Sequence, residues 1–253
     1  MSAFAEYSPL ILLWCAFALW CGGLIKGALG VGTPLLTVPM MAFVLPPQVA
    51  IAIMAFPVVI ANVWQFIQAP KSTGVIKDFL PAGLAIAVGS AIGTRILVSL
   101  DERVLLITVG FFVIVFTLLQ GSRHRFQIEQ RYLWPAGIGF GLAAGMIGGL
   151  SSMFGPMMVL YMVSISNLSK ERFVTGISFL YLWAVIPWTG QLFYRDLLDY
   201  PVWLYSAVGV IPVVLGMTVG QRIRQHISEA HFNVAIRWVL FVSAGSLILR
   251  ALR

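Results

Sequence analysis

Apolar windows long enough to cross a bilayer recur from one end of this 253-residue chain to the other, and nothing else in it limits the possible folds so severely. The first, Leu10 to Ile25, meets no charge before Lys26. A hydrocarbon core about 30 Å thick asks for about 20 apolar residues in helical form. In lipid each backbone N–H and C=O must find its partner within the protein, so windows of this length are helices. A soluble surface cannot be assembled from the remainder: 10% of the residues are Asp, Glu, Lys or Arg, against roughly 25% in soluble domains. The chain therefore reads as all-α, a polytopic transmembrane helix bundle.

Apolar runs set against loop signals predict segments at about 9–28, 34–45, 48–69, 79–99 and 103–120, then at about 132–150, 156–166, 172–194, 201–221 and 230–250. The stretch before the first window carries Glu6 and no Lys or Arg, so that window reads as a retained helix and not as a signal peptide. The most polar stretch, Gly121 to Arg131, separates two sets of five. The expected organisation is thus transmembrane repeat 1 over 1–120, a cytoplasmic linker over 121–131 and transmembrane repeat 2 over 132–253. Gly27 and Pro34 stand 122 positions before Gly149 and Pro156, and Gly89, Gly93, Arg95 and Glu102 stand 127 before Gly216, Gly220, Arg222 and Glu229. Chance matching in a Gly-rich apolar chain is the competing explanation of any one pair. Two five-segment repeats make the second inverted relative to the first, since an odd number of crossings reverses direction. With the N-terminus outside, nine Lys and Arg fall in inner loops and five in outer ones, the asymmetry expected of cytoplasmic loops.

Each repeat contains a broken or half-length helix. In Gly27 to Pro34 three glycines and a proline interrupt an apolar stretch, and Thr33-Pro34 reads as N-cap and first residue of a new helix ending near Leu45, only about 16 Å long. Gly148 to Pro156 repeats the device. Irregular backbone at membrane depth survives where protein or a water-filled cavity covers it, so paired interruptions point to a binding site. Helix N-termini carry partial positive charge and free N–H groups. Two of them converging from opposite repeats make an anion cradle, with Gly30, Gly32, Thr33, Pro34, Ser151, Ser152, Gly155 and Pro156 as its residues. The plainer alternative is that small residues here let helices pack closely.

Asn62, Gln65 and Gln191 add neutral amides that can donate to an oxyanion, or simply bond neighbouring helices. Lys26, Arg95 and Arg222 are candidates for anion attraction; snorkelling of Lys26 to the interface and helix-end anchoring by the arginines compete with that role. All nine acidic residues fall in tails, loops or helix ends, so no buried carboxylate relay is apparent. Cys15 and Cys21 do not share a helix face, and His124, His226 and His231 form no metal-binding pattern. No catalytic group, metal site or cofactor is called for. The net charge of +7 sits in short loops, as topology-setting charge does, which argues against nucleic acid as a partner.

The pattern Gly-x-x-Gly-x-Gly-x-Pro over Gly27 to Pro34, followed by Leu45-Pro46-Pro47, then Gly145-Met146-Ile147-Gly148-Gly149 through Gly155-Pro156, then Ser169-Lys170-Glu171-Arg172-Phe173, resembles the sulfite exporter TauE/SafE family over nearly the whole chain. The resemblance implies a multi-pass protein of the bacterial inner membrane that moves sulfite, sulfonates or related small organic anions out of the cell. Phe154, before Gly155, departs from the fuller Gly-x-Gly-Gly-Pro form of that family and leaves pocket size open. The function expected is that of a secondary transporter exporting a small anion by alternating access. An anion-selective channel and an exporter of small carboxylates are the alternatives, and no enzyme is expected. The partners implied are a small anion and the lipid bilayer, with self-association into a homo-oligomer left open.

Overall fold

The computed structural model describes residues 7–30, 32–121 and 127–223, together with Gly245 and Ala251. These residues form α1 (Pro9–Leu29), α2 (Thr33–Met41), α3 (Pro47–Ile53), α4 (Ala55–Gln68), α5 (Val75–Ser99) and α6 (Glu102–Gly121). After a 3-10 turn at Gln130–Tyr132 come α7 (Leu133–Ser151), α8 (Gly155–Ser164), α9 (Lys170–Tyr194) and α10 (Val202–Ile223). One isolated bridge, Ile128 to Ile165, is the only extended pairing among the described residues. Six stretches of these residues are long and apolar enough to cross a membrane: Pro9–Ala28, Pro47–Gln68, Val75–Ser99, Gln130–Ser151, Lys170–Tyr194 and Val202–Ile223. The segment expected over 230–250 lies outside the described residues apart from Gly245, as do 122–126 of the linker.

Local chemistry explains most of the helix ends. Ser8 caps α1, its hydroxyl accepting from the Ile11 N–H, and Pro9 follows at the first helical position. Gly30, left-handed at φ 80°, ends the same helix and returns its N–H to the Lys26 carbonyl at 2.7 Å. Residues 48–69, expected as one segment, form two helices that meet at Met54. The cause is Pro57, which has no N–H for the Ile53 carbonyl and whose ring crowds it. In the break the Phe56 N–H donates to Ser206 Oγ of α10 at 3.0 Å.

The chain divides into two compact units, neither continuous in sequence. The described parts of unit 1 fall within Met1–Val58, Ser99–Gly121 and Arg195–Arg253, and those of unit 2 within Val59–Val98 and Ser122–Tyr194. Unit 1 thus joins α1, α2, α3 and α6 to α10, and unit 2 joins α5 and most of α4 to α7, α8 and α9. In unit 1, α1 and α10 touch through glycines: a Cβ on Gly23 or Gly27 would lie under 3.0 Å from the backbone of Val213 or Met217, and one on Gly216 or Gly220 equally close to Trp20 or Leu24. Unit 2 has the same seam between α7 and α5, where Gly145 and Gly149 meet Ile86 and Ser90, and Gly89 and Gly93 meet Leu142 and Met146. Each contact in one seam maps on the other at the sequence offsets of 122 and 127. In hydrocarbon, where apolar burial drives little association, such close backbone approach is a principal source of helix pairing. Large apolar side chains such as Leu10, Leu13, Ile67, Phe111 and Ile211 are exposed, an arrangement suited to contact with lipid.

Candidate functional site

Within unit 1 the polypeptide leaves α1 at Gly30 and enters α2 through Gly32, left-handed at φ 96°. Gly32, not Thr33, is the N-cap; Thr33 and Pro34 are the first two helical residues. The expected register is corrected by one position because the turn demands a left-handed residue immediately before the helix, a conformation that glycine adopts without steric cost. No side chain of the described residues caps α2. Pro34 has no N–H and Leu35 N–H donates to the Gly32 carbonyl at 3.1 Å, which leaves the Gly32 and Thr33 amides as the donors with no acceptor within α2 itself. Thr33 is buried. One turn back along α1, Lys26 is 4% exposed, so it is buried and does not snorkel.

Within unit 2 the corresponding turn is built from different side chains. Ser152 ends α7 in a left-handed conformation, φ 61°, its N–H donating to the Gly148 carbonyl at 2.6 Å. The Ser151 hydroxyl is consumed locally: it donates to Ile147 O at 2.7 Å and accepts from Met153 N–H at 3.3 Å. Ser152 is 2% exposed, and its Oγ has no hydrogen-bond partner among the described residues. Phe154 is the N-cap of α8 and supplies no capping bond, with Gly155 and Pro156 as the first helical residues. Gly155 has to be small, because a Cβ there would overlap the Tyr181 hydroxyl. Phe154 packs over Gly148 and edge-on to Trp188, with ring centroids 5.8 Å apart. Trp188 Nε1 in turn donates to the Gly149 carbonyl at 3.2 Å.

The remaining candidates are distributed as follows. Asn62 is buried on α4, Gln65 is half-buried on the same helix with an Oε1 that finds no partner among the described residues, and Gln191 is half-buried on α9. All three belong to the unit that holds α8. Arg95 and Arg222 are exposed near the carboxyl ends of α5 and α10. Sequence reasoning missed Tyr181, Trp188 and Thr189; the Thr189 Oγ1 is buried and without a partner among the described residues. Their apolar surroundings gave no signal of a polar role. Asp78 and Arg172, which nothing in the sequence pairs, form an ion pair joining the first turns of α5 and α9. An apolar cavity of about 120 Å³ in unit 1, lined by Cys15, Leu19, Ile53, Tyr205 and Gly209 among others, offers nothing to an oxyanion.

Six membrane-length apolar helices joined through glycine seams define a multi-pass α-helical membrane protein. The chain belongs to the sulfite exporter TauE/SafE family, whose sequence profile matches residues 15–247. That is a family of membrane transporters for sulfite and related anions, and it places the chain in the inner membrane. Comparison with curated proteins and with solved structures found no match.

Proposed function

We propose that the protein is a secondary transporter that exports a small oxyanion, such as sulfite or an organosulfonate, by alternating access. The observation that carries this reading is the pair of short helices whose amino ends lack a capping side chain among the described residues. A helix amino end holds partial positive charge, and an amide donor with no intrahelical acceptor binds an oxyanion oxygen directly. In unit 1 the α2 tip with Gly30, Gly32, Thr33 and Pro34 is an anion cradle, and in unit 2 so is the α8 tip with Ser152, Gly155 and Pro156, next to Ser151, whose hydroxyl is spent within its own turn. Ser152 Oγ, which finds no acceptor among the described residues, suits a hydroxyl that bonds substrate. Asn62, Gln65 and Gln191 supply neutral donors along the path, and Lys26, Arg95 and Arg222 draw anions in. Support for two equivalent half-sites comes from the recurring seam contacts, which fit an inverted repeat of residues 1–120 and 132–253. The test is uptake of labelled sulfite into proteoliposomes. Saturable flux with counterflow, reduced at least fivefold in Thr33→Val and Ser152→Ala, is the expected result; non-saturating flux with single-channel currents would make the protein a channel instead.

A further inference from the structure

Within unit 1 the glycine seam between α1 and α10 stops partway along the pair. Its contacts run in step, Gly23 with Val213, Gly27 with Met217, Trp20 with Gly216 and Leu24 with Gly220, so the two helices are parallel and touch backbone to backbone over the later part of each. α1 has no glycine before Gly22, and on α10 Pro212 interrupts the backbone ladder just before the seam begins. Earlier in both helices, side chains hold the backbones apart. Gly209 faces the tip of Leu19, whose Cδ1 lies 3.0 Å from where a Cβ would be. Nearer the amino ends the rings of Tyr7 and Tyr205 meet with centroids 5.8 Å apart. Between the seam and this aromatic prop lies the apolar cavity of about 120 Å³, whose walls include Cys15, Ala16, Val208 and Pro212.

We propose that this cleft between α1 and α10 binds an acyl chain of a membrane phospholipid, which enters from the bilayer past Val208. An apolar cavity of comparable size, about 150 Å³, stays dry and takes up apolar guests, so water does not fill a space of this kind. A void left empty forfeits the dispersion contacts of every side chain around it. The cleft lies in the first half of the spans Pro9–Ala28 and Val202–Ile223, which is the depth of the acyl chains of one leaflet. Val208 both lines the cavity and is exposed, and Ile211 and Leu215 beyond it on α10 are exposed too. The cavity wall is therefore continuous with a surface suited to lipid, and the solvent of that surface supplies the occupant. Glycine closes one half of this helix pair and lipid completes the other.

The test is photo-crosslinking of the whole protein in vesicles of phosphatidylethanolamine and phosphatidylglycerol, a small fraction of the latter carrying a diazirine on an acyl chain. Adducts are located by mass spectrometry of peptides. In wild type they are expected to concentrate on Ile11 to Leu19 and Tyr205 to Pro212, severalfold above those on α5 around Leu84 and Val88, which are exposed but border no such cavity. Ala16→Leu places an isopropyl group in the cavity. It is expected to reduce the adducts in the cleft severalfold, to leave those on α5 unchanged and to melt no lower than wild type in detergent. Adducts spread evenly over exposed helix faces overturn the proposal, as do cleft adducts that persist at the wild-type level in Ala16→Leu. Should Ala16→Leu fail to fold, Val208→Trp at the exposed edge obstructs entry instead. Loss of adducts at Ile11 and Cys15 in that variant supports the site, and their persistence overturns it.

Discussion

Ser152 carries two costs that glycine would not. Its left-handed backbone, φ 61°, is one that an L side chain adopts at a penalty of about 1 kcal/mol, and its buried hydroxyl lacks a partner among the described residues. At the corresponding position Gly30 bears neither. A residue kept against such costs is explained if its hydroxyl meets a ligand. Ser152→Gly should therefore raise the melting temperature by about 2–4 °C, the shift that about 1 kcal/mol produces in a protein of this size. It should also lower sulfite flux several-fold, as read in proteoliposomes. A rise in stability with flux unchanged would make the hydroxyl incidental. The importance of Ser152 over Ser151 was not legible in the sequence, where the two are adjacent hydroxyls in one turn. Only the folded backbone shows that Ser151 satisfies itself within its own helix.

At the scale of the element, glycine has two opposite meanings along α7. Gly145 lies in the seam with α5, where a Cβ would sit under 3.0 Å from backbone atoms of Ile86, Ser90 and Gly89. Gly139, two turns earlier, is exposed and has no described atom within 4 Å of that position. Gly145→Ala should destabilise by about 1–3 kcal/mol, because backbone cannot yield as a side-chain tip can. Gly139→Ala should leave stability unchanged or raise it by up to about 1 kcal/mol through helix propensity. Melting curves of the two variants in one detergent distinguish them. The break between α3 and α4 yields a second expectation: Ser206→Ala strips the Phe56 N–H of the hydroxyl it donates to and should cost about 1–3 kcal/mol. The helix starts at Pro34 and Pro156 were readable from residue type, since entry into a helix is local chemistry, although the cap before Pro34 was placed on Thr33, one residue late. The division at Met54 was not, because the apolar run masks it and the rescue of its freed amide comes from α10, about 150 residues away.

At the scale of the whole molecule, the sequence shows two halves joined by a polar linker, yet neither compact unit coincides with a half. α10, from the second half, pairs with α1, and α5, from the first, pairs with α7. Offsets between repeated residues report which helices are related, and hydrophobic periodicity reports which segments are helical; neither says which helices touch. The pairing rests on backbone contact along glycine seams, to which any other glycine-bearing helix was an equal candidate on paper. Residues 1–120 expressed alone would leave the glycine face of α1 without α10 and that of α5 without α7, and residues 132–253 would leave the reverse. Unpaired seams in lipid forfeit the packing that associates the helices. Each half alone should therefore be degraded or aggregate, while a chain cut between Gly121 and Gln127, with both fragments co-expressed, should assemble, co-purify and carry anion at a rate within about threefold of the intact protein. Co-purification through a tag on one fragment, followed by a flux assay, measures this. Two fragments that each purify as a stable monodisperse species without the other would show that the exchange of α5 and α10 does not hold the units together.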